Sequence, residues 1–186
     1  MSGRQFDVSN EIAGLDTERI LRTLAGYRVD YVLVGGLATI AHGSTLATAD
    51  ADIVPDPDSE NLDRLLDALV ALDAKVLVSE QRLAMEADEP WEVEALRRGA
   101  EGLTSAQAWH FTTVAGPVDV VMEATGVGPY EAHLGAAEDR EVFGVVITVA
   151  GLADLIASKK ALGRPKDEAI LRELLDLGES PSDEDR

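Results

Sequence analysis

The sequence contains no cysteine, and this absence excludes several classes of site. Without thiols the chain has no disulfide, no thiolate zinc site and no cysteine nucleophile. Histidine is scarce as well, because His42, His110 and His133 stand far apart and show no metal-ligand spacing such as His-x-x-x-His. A Walker A sequence is also missing, so the pattern does not support a P-loop NTPase. From the sequence we assign no catalytic role to the histidines.

Long apolar runs are missing too. None approaches the length needed to span a bilayer, and the first residues, MSGRQFDVSNE, lack the apolar core of a signal peptide. We therefore expect a cytoplasmic protein with no membrane partner. The 186 residues suffice for one domain with a sizeable core, which we place at residues 1–178, followed by a disordered acidic tail at 179–186.

Basic residues are few, with 16 Lys and Arg against 35 Asp and Glu and a net charge of −19. This balance argues against broad, nonspecific binding of nucleic acid, which relies on a cationic surface. It leaves open a nucleic acid held at one local basic patch, a basic protein partner, or an acidic surface that serves solubility alone. Four of the scarce cations cluster at residues 159–166, which is an anomaly on so acidic a chain.

The most informative stretch of the sequence is residues 31–56. A short apolar strand at 31–34 ends at Gly35-Gly36, a helix is predicted at 37–42, and a second strand follows Asp50. Because side chains alternate along a strand, Asp50 and Asp52 point the same way. Two carboxylates aimed at one place repel each other unless a cation or a proton lies between them. Mg²⁺ or Mn²⁺ is the natural occupant, since hard divalent cations prefer oxygen ligands.

The Asp-x-Asp tripeptide alone carries little weight in so acidic a chain. It recurs at Asp56/Asp58 and at Asp183/Asp185. We interpret the first of these as acids at the positive end of a helix dipole, at the start of a helix capped by Ser59. The context of Asp50 and Asp52, between a glycine-ended strand and a resumed strand, is what distinguishes them.

The remaining pattern predicts an α+β fold in which helices flank a mixed sheet and further helices close the C-terminus. Helices are predicted at 10–26 with Asn10 as a cap, at 59–72, at 153–162 and at 164–177. Strands are predicted at 74–78, 108–114, 118–122 and 145–149, whereas 79–105 is unassigned and 126–144 is predicted as a short helix and loop.

Asp119 is a third acid in an unusual place, between β-branched apolar residues of a strand that ought to be central. A lone aspartate there is costly unless it is satisfied. Either it is hydrogen-bonded at a sheet edge, or it joins Asp50 and Asp52 at a metal site.

These motifs resemble those of a known superfamily. Gly35-Gly36, a gap of thirteen residues and then Asp50-x-Asp52-Ile53 is similar to the signature of the DNA polymerase β-like nucleotidyltransferases. Within that superfamily the chain looks most like the small bacterial nucleotidyltransferases that include the AbiEii and MenT-type toxins, over roughly residues 20–177. The resemblance implies the polymerase β-like nucleotidyltransferase fold.

The resemblance also implies a set of site residues. Asp50, Asp52 and Asp119 would be catalytic and would hold two Mg²⁺ or Mn²⁺ ions, and Lys159 matches the catalytic lysine. An NTP would be held by the following residues: Gly35, Gly36, Thr48, Arg164, Lys166 and Asp167. One position departs from the pattern, since such sequences often carry arginine where this chain has Leu46.

The implied activity is transfer of a nucleoside monophosphate from an NTP to an acceptor hydroxyl. By resemblance the acceptor is RNA, specifically tRNA, or a protein, and the chain is the toxin of a toxin–antitoxin pair with a cognate antitoxin protein as partner. The alternative is a catalytically inert module that keeps the fold and binds a nucleotide or a partner. Leu46 and the acidic surface leave room for that alternative.

Overall fold

The computed structural model describes residues 14–77, 91–98, 102–165 and 167–179. Within these ranges the chain forms the following strands: β1 (Tyr31–Val34), β2 (Ala51–Pro55), β3 (Lys75–Val76), β4 (Trp91–Glu92), β5 (Ala108–Thr112), β6 (Val118–Val121), β7 (Glu138–Val142) and β8 (Val145–Val149). It also forms the following helices: α1 (Thr17–Gly26), α2 (Gly35–Ala41), α3 (Ser59–Ala71), α4 (Val93–Arg98), α5 (Tyr130–His133), α6 (Leu152–Leu162) and α7 (Asp167–Glu179). A single 3₁₀ turn, Gly102–Ser105, precedes β5.

The strands form one mixed sheet in the order β4-β3-β5-β6-β2-β1-β8-β7. At its centre, β2 runs antiparallel to β1 and parallel to β6, and β1 runs parallel to β8. Every residue of β1 is buried, and side chains alternate between the faces of a strand, so both faces of the sheet are covered there. The predicted α+β class, with a mixed sheet flanked by helices, is confirmed.

The covering is incomplete at the β5–β6 hairpin. Along β5 the buried side chains of Trp109 and Phe111 alternate with exposed ones, and β6 alternates between buried and partly exposed residues. One face of these strands therefore packs on the core, while the other opens to solvent. Asp119 and His110 both lie on the open face, directly opposite each other in the antiparallel pairing.

Two groups of helices pack on the sheet. One contains α1 with α3, and α3 with α4, and the other contains α2, α6 and α7. Helix α1 begins at Thr17, later than the predicted 10–26, because the Asp16 side chain accepts a hydrogen bond from the Arg19 amide and caps it. Residues 1–13, including the predicted cap Asn10, lie outside the described residues. In α3 the cap is Asp58 and not the predicted Ser59, which is the first helical residue.

Three further predictions need correction. Helix α2 begins at Gly35 itself, so the two glycines form its first turn and do not precede it. Residues 138–142 form β7, an edge strand, although the sequence predicted a loop there. Helix α7 continues to Glu179, one residue into the predicted tail, and residues 180–186 lie outside the described residues. None of the helices described has both the length and the apolar character that crossing a bilayer requires.

Candidate active site

Three carboxylates converge where β2 and β6 lie side by side. Asp52 pairs with Asp119 in the parallel register of these strands, and Asp50 precedes β2 by one residue. Asp50, Asp52 and Asp119 each offer one carboxylate oxygen, and these oxygens all lie within 4.8 Å of one another. We call these residues the carboxylate cluster. Strand alternation thus directs Asp50 and Asp52 the same way, as the sequence predicted, and the parallel register brings Asp119 to them.

Each member of the carboxylate cluster accepts a hydrogen bond from a different neighbour. The Thr48 hydroxyl donates to Asp50 Oδ1 at 2.9 Å, and the Gly36 backbone N–H donates to Asp52. The ring of His110 places Nδ1 2.9 Å from Asp119 Oδ2. His110 lies on β5, Gly36 lies at the start of α2 and Thr48 lies on the loop before β2, so three separate parts of the fold hold the acids in place.

The two glycines leave the space that this arrangement needs. A Cβ atom on Gly35 would lie 1.9 Å from Asp52 Oδ2, and one on Gly36 would lie 2.2 Å from the Thr48 hydroxyl oxygen. Gly35 also has a φ of +63°, which an L side chain adopts only with strain. The structure therefore gives the glycines a role beside the carboxylates. Their predicted contact with a triphosphate stays a prediction.

The pKa of Asp52 reflects its burial and the repulsion among the carboxylates of the cluster. Burial, followed by repulsion from Asp50 and Asp119, raises the pKa of Asp52 from its ordinary 3.8 to about 6. Attraction to Lys159 and the hydrogen bond from Gly36 oppose this increase in pKa without cancelling it. The donor set is all hard oxygen and its negative charges repel one another, so its chemistry fits a divalent ion such as Mg²⁺ or Mn²⁺.

A cationic corner, formed by Lys159, Arg164 and Asp167, lies beside the carboxylate cluster. The Lys159 ammonium lies 3.1 Å from Asp167 Oδ1, and the Arg164 Nε lies 2.6 Å from Asp167 Oδ2. Hydrogen bonding from Arg164 above all, opposed by burial and aided by Lys159, lowers the pKa of Asp167. For Arg164 the hydrogen bond to Asp167 raises the pKa, and attraction to Asp52 and Asp50 adds to this effect despite burial.

The loop before the carboxylate cluster is tied to the last helix. Glu173 of α7 accepts hydrogen bonds from the Ser44 hydroxyl, the Thr45 hydroxyl at 3.0 Å and the Thr45 amide at 2.8 Å. Burial raises the pKa of Glu173, but these bonds outweigh that effect and the pKa is lowered. No local pattern indicates this contact, because it links residues far apart in the chain.

The structure thus brings most of the predicted site residues together. The carboxylate cluster, Gly35, Gly36, Thr48 and the cationic corner all meet at this place, whereas Lys166 lies outside the described residues. Two of the predicted nucleotide contacts are engaged within the protein, since Thr48 supports Asp50 and buried Asp167 holds both cations. From the sequence we assign no role to His110, although the short hairpin formed by 108–112 and 118–121 places it opposite Asp119.

A cavity of about 320 Å³ lies at the other end of β6 and not over the carboxylate cluster. Its lining comes from Gln107 and from the loop 123–128, with Glu123 as the charged residue. This loop packs on α6, because a Cβ atom on Gly126 would lie 2.6 Å from the Ala161 Cβ. The loop that lines the cavity therefore packs on the helix that carries Lys159.

Comparison with known proteins supports the fold. No family model matches the sequence, and neither does any curated protein. Solved structures similar in fold include the following two. The lincosamide antibiotic adenylyltransferase LnuA, with lincomycin bound, matches with a TM-score of 0.57 at 12% identity, covering 88% of this chain and 99% of that one. The antibiotic-resistance factor ANT(2'')-Ia matches with a TM-score of 0.53 at 14% identity, covering 85% and 80%.

The chain has a nucleotidyltransferase fold. At such low identities the likeness establishes the fold alone, and it does not single out the AbiEii or MenT type. The candidate site on this fold is defined by the chain's own geometry.

Proposed function

We propose that this protein is a metal-dependent nucleotidyltransferase that moves a nucleoside monophosphate from an NTP to an acceptor hydroxyl. The observation that carries the proposal is the carboxylate cluster, in which three acids from two paired strands converge within 4.8 Å on a nucleotidyltransferase fold. A cluster of like charges destabilises the fold unless cations neutralise it, so such a cluster is a candidate functional site. Its oxygen ligands suit two divalent cations.

Different residues of the site would bind the metal, take the proton and stabilise the leaving group. Asp50, Asp52 and Asp119 would hold Mg²⁺ or Mn²⁺, which when bound activates the acceptor hydroxyl and stabilises charge on the leaving group. Asp119 lies on the open face of the sheet, where an acceptor can approach, and helps to take the hydroxyl proton. The acceptor oxygen bonds to the α-phosphorus as the bond to the β-phosphate breaks. Lys159 and Arg164 stabilise the departing pyrophosphate.

Two kinds of acceptor remain candidates. The resemblance to MenT-type and AbiEii proteins favours tRNA or a protein, and with it a toxin role and a cognate antitoxin partner. A small molecule is the other candidate, because a protein of similar fold acts on one. Antibiotic adenylylation by LnuA illustrates such an acceptor on this fold. Radiolabelled transfer from each NTP to total tRNA and to a panel of small hydroxyl compounds distinguishes them.

A nucleotide-binding or partner-binding module without turnover is the second candidate. It is favoured by Leu46, an exposed residue on the loop before the carboxylate cluster, where similar sequences often carry arginine. Calorimetry with each NTP and Mg²⁺, followed by the transfer assay, separates the candidates. Binding without product on any acceptor supports the inert module.

The direct test of the enzyme proposal is Asp52→Asn. The substitution removes a metal ligand but keeps the size of the side chain, so we expect transfer to fall by about 10³-fold or more. Far-UV circular dichroism should show an intact fold. The exposed acid Asp63 in α3 offers a matched control, and Asp63→Asn should leave transfer unchanged. Full transfer by Asp52→Asn would contradict the assignment.

A further inference from the structure

His110 is a polar neighbour of the carboxylate cluster that has no role in the reaction outlined above. It lies on β5, directly opposite Asp119 in the antiparallel pairing with β6. Its Nδ1 is 2.9 Å from Asp119 Oδ2, and its side chain is 52% exposed, whereas that of Asp119 is 19% exposed. The ring therefore covers one side of the carboxylate and faces the open side of the sheet.

The hydrogen bond has only one chemically sensible direction. An ionised carboxylate can only accept, so the hydrogen must lie on Nδ1 of the ring. This bond occupies Oδ2 and restricts rotation of the carboxylate. The strand pairing fixes the backbone on both sides, since His110 and Asp119 are cross-strand partners next to the pair formed by Phe111 and Val118.

The other members of the carboxylate cluster show the same design. Asp50 is held by the Thr48 hydroxyl and Asp52 by the Gly36 amide. His110 donates to Asp119 in the same way, so each acid has a donor from a different neighbour. Donors of this kind fix the orientation of metal-binding carboxylates, and losing one typically weakens metal affinity or activity by about 10- to 100-fold.

We propose that His110 is a positioning residue that holds Asp119 in the orientation required to bind a divalent cation. The inference rests on the proposed function, because it assigns His110 a role at the same site. A cross-strand pair that merely stabilised the hairpin would affect unfolding and not cation affinity. The two roles therefore predict different measurements.

The test is a titration of the metal-free full chain with Mn²⁺, followed by calorimetry or by electron paramagnetic resonance. His110→Ala should weaken Mn²⁺ affinity by about 10- to 100-fold. His110→Asn places an amide donor near the position of Nδ1 and should remain within about threefold of the parent chain. Thr112→Ala is the matched control, because Thr112 is exposed on the same face of β5, two residues away, and its loss should change affinity by less than about twofold.

The outcomes separate the two proposals. If Asp52→Asn abolishes Mn²⁺ binding while His110→Ala binds as tightly as the parent, the positioning role is wrong and the metal site stands. Equal weakening by His110→Ala and His110→Asn, with unchanged melting temperatures, also rejects the Nδ1 donor role. Absence of Mn²⁺ binding by the parent chain, or equal binding by Asp52→Asn, overturns both proposals. Where transfer is measured, His110→Ala should lower kcat with little change in the KM for NTP.

Discussion

The carboxylate cluster and the cationic corner lie side by side but have opposite electrostatic balances. In the cluster three acids face one another, and hydrogen bonds from Thr48 and His110 are among those that hold them. In the corner Lys159 and Arg164 both bind Asp167, so attraction outweighs repulsion. The corner stabilises the fold by itself, whereas the cluster weakens it until a cation binds. A region that opposes folding in this way is the better indicator of function.

The largest change in stability should come from breaking the corner. Asp167→Ala leaves Lys159, whose side chain is 10% exposed, without its buried carboxylate partner. We expect the free energy of unfolding to fall by about 3 kcal/mol or more, because an unpaired buried charge is costly. Urea unfolding at pH 7, followed by circular dichroism, measures it.

Helix α7 provides the control for this change. Glu168 and Arg172 form an exposed ion pair one turn apart, so Glu168→Gln should cost less than about 0.5 kcal/mol. Equal losses for Asp167→Ala and Glu168→Gln would show that burial of the corner contributes nothing.

The carboxylate cluster should make the free energy of unfolding depend on pH. Because the pKa of Asp52 is about 6 in the folded state and 3.8 is its ordinary value, the folded chain binds this proton more tightly than the unfolded chain. The contribution of Asp52 to stability is present below pH 4 and is lost as the pH rises to about 6. It amounts to about 3 kcal/mol.

The difference between the parent chain and Asp52→Asn isolates this effect from other titrating acids. With EDTA present, the free energy of unfolding of the parent should decline relative to Asp52→Asn between pH 4 and pH 6.5. Mg²⁺ at pH 7.5 should then restore stability to the parent and not to the variant. Parallel pH profiles for the two chains would mean that the cluster is not strained.

A smaller effect should come from the space beside Asp52. Gly35→Ala places a methyl group 1.9 Å from Asp52 Oδ2 in a backbone conformation with positive φ. We expect a loss of about 2 kcal/mol in the free energy of unfolding and a displaced Asp52, with loss of Mn²⁺ binding. Gly26→Ala is the control, since a Cβ atom on Gly26 would meet nothing within 4 Å, and its effect should stay within about 1 kcal/mol. Unaltered Mn²⁺ binding by Gly35→Ala would disprove the steric argument.

Much of the fold could be predicted from local patterns. The strands that carry Asp52 and Asp119 are apolar runs with proline at one end, and α3 has one apolar stripe. By contrast, β7 has the sequence EDREV and lies at the edge of the sheet, where charged residues are tolerated because one side faces solvent. No apolar alternation marks such a strand, so the sequence pointed to a loop.

In the candidate site, too, some features follow from local sequence patterns and others depend on tertiary packing. Asp50 and Asp52 share a direction through strand alternation alone, which the sequence contains. Contacts that depend on tertiary packing were beyond its reach, such as the approach of Gly35 to Asp52 and the tie between Glu173 and the loop at Ser44. His110 stands between these cases, because the hairpin register that pairs it with Asp119 could have been counted from the turn at Ala115-Gly116.

The parallel pairing of β2 with β6 makes cation binding a reporter of complete folding. Asp52 and Asp119 lie on adjacent strands of the sheet, but α3, β3, β4, α4 and β5 separate these strands along the chain, so no short fragment can contain the whole site. Such long-range pairing is slow to form relative to local helices. During refolding, Mn²⁺ uptake should therefore lag behind the recovery of helical signal and coincide with closure of the sheet.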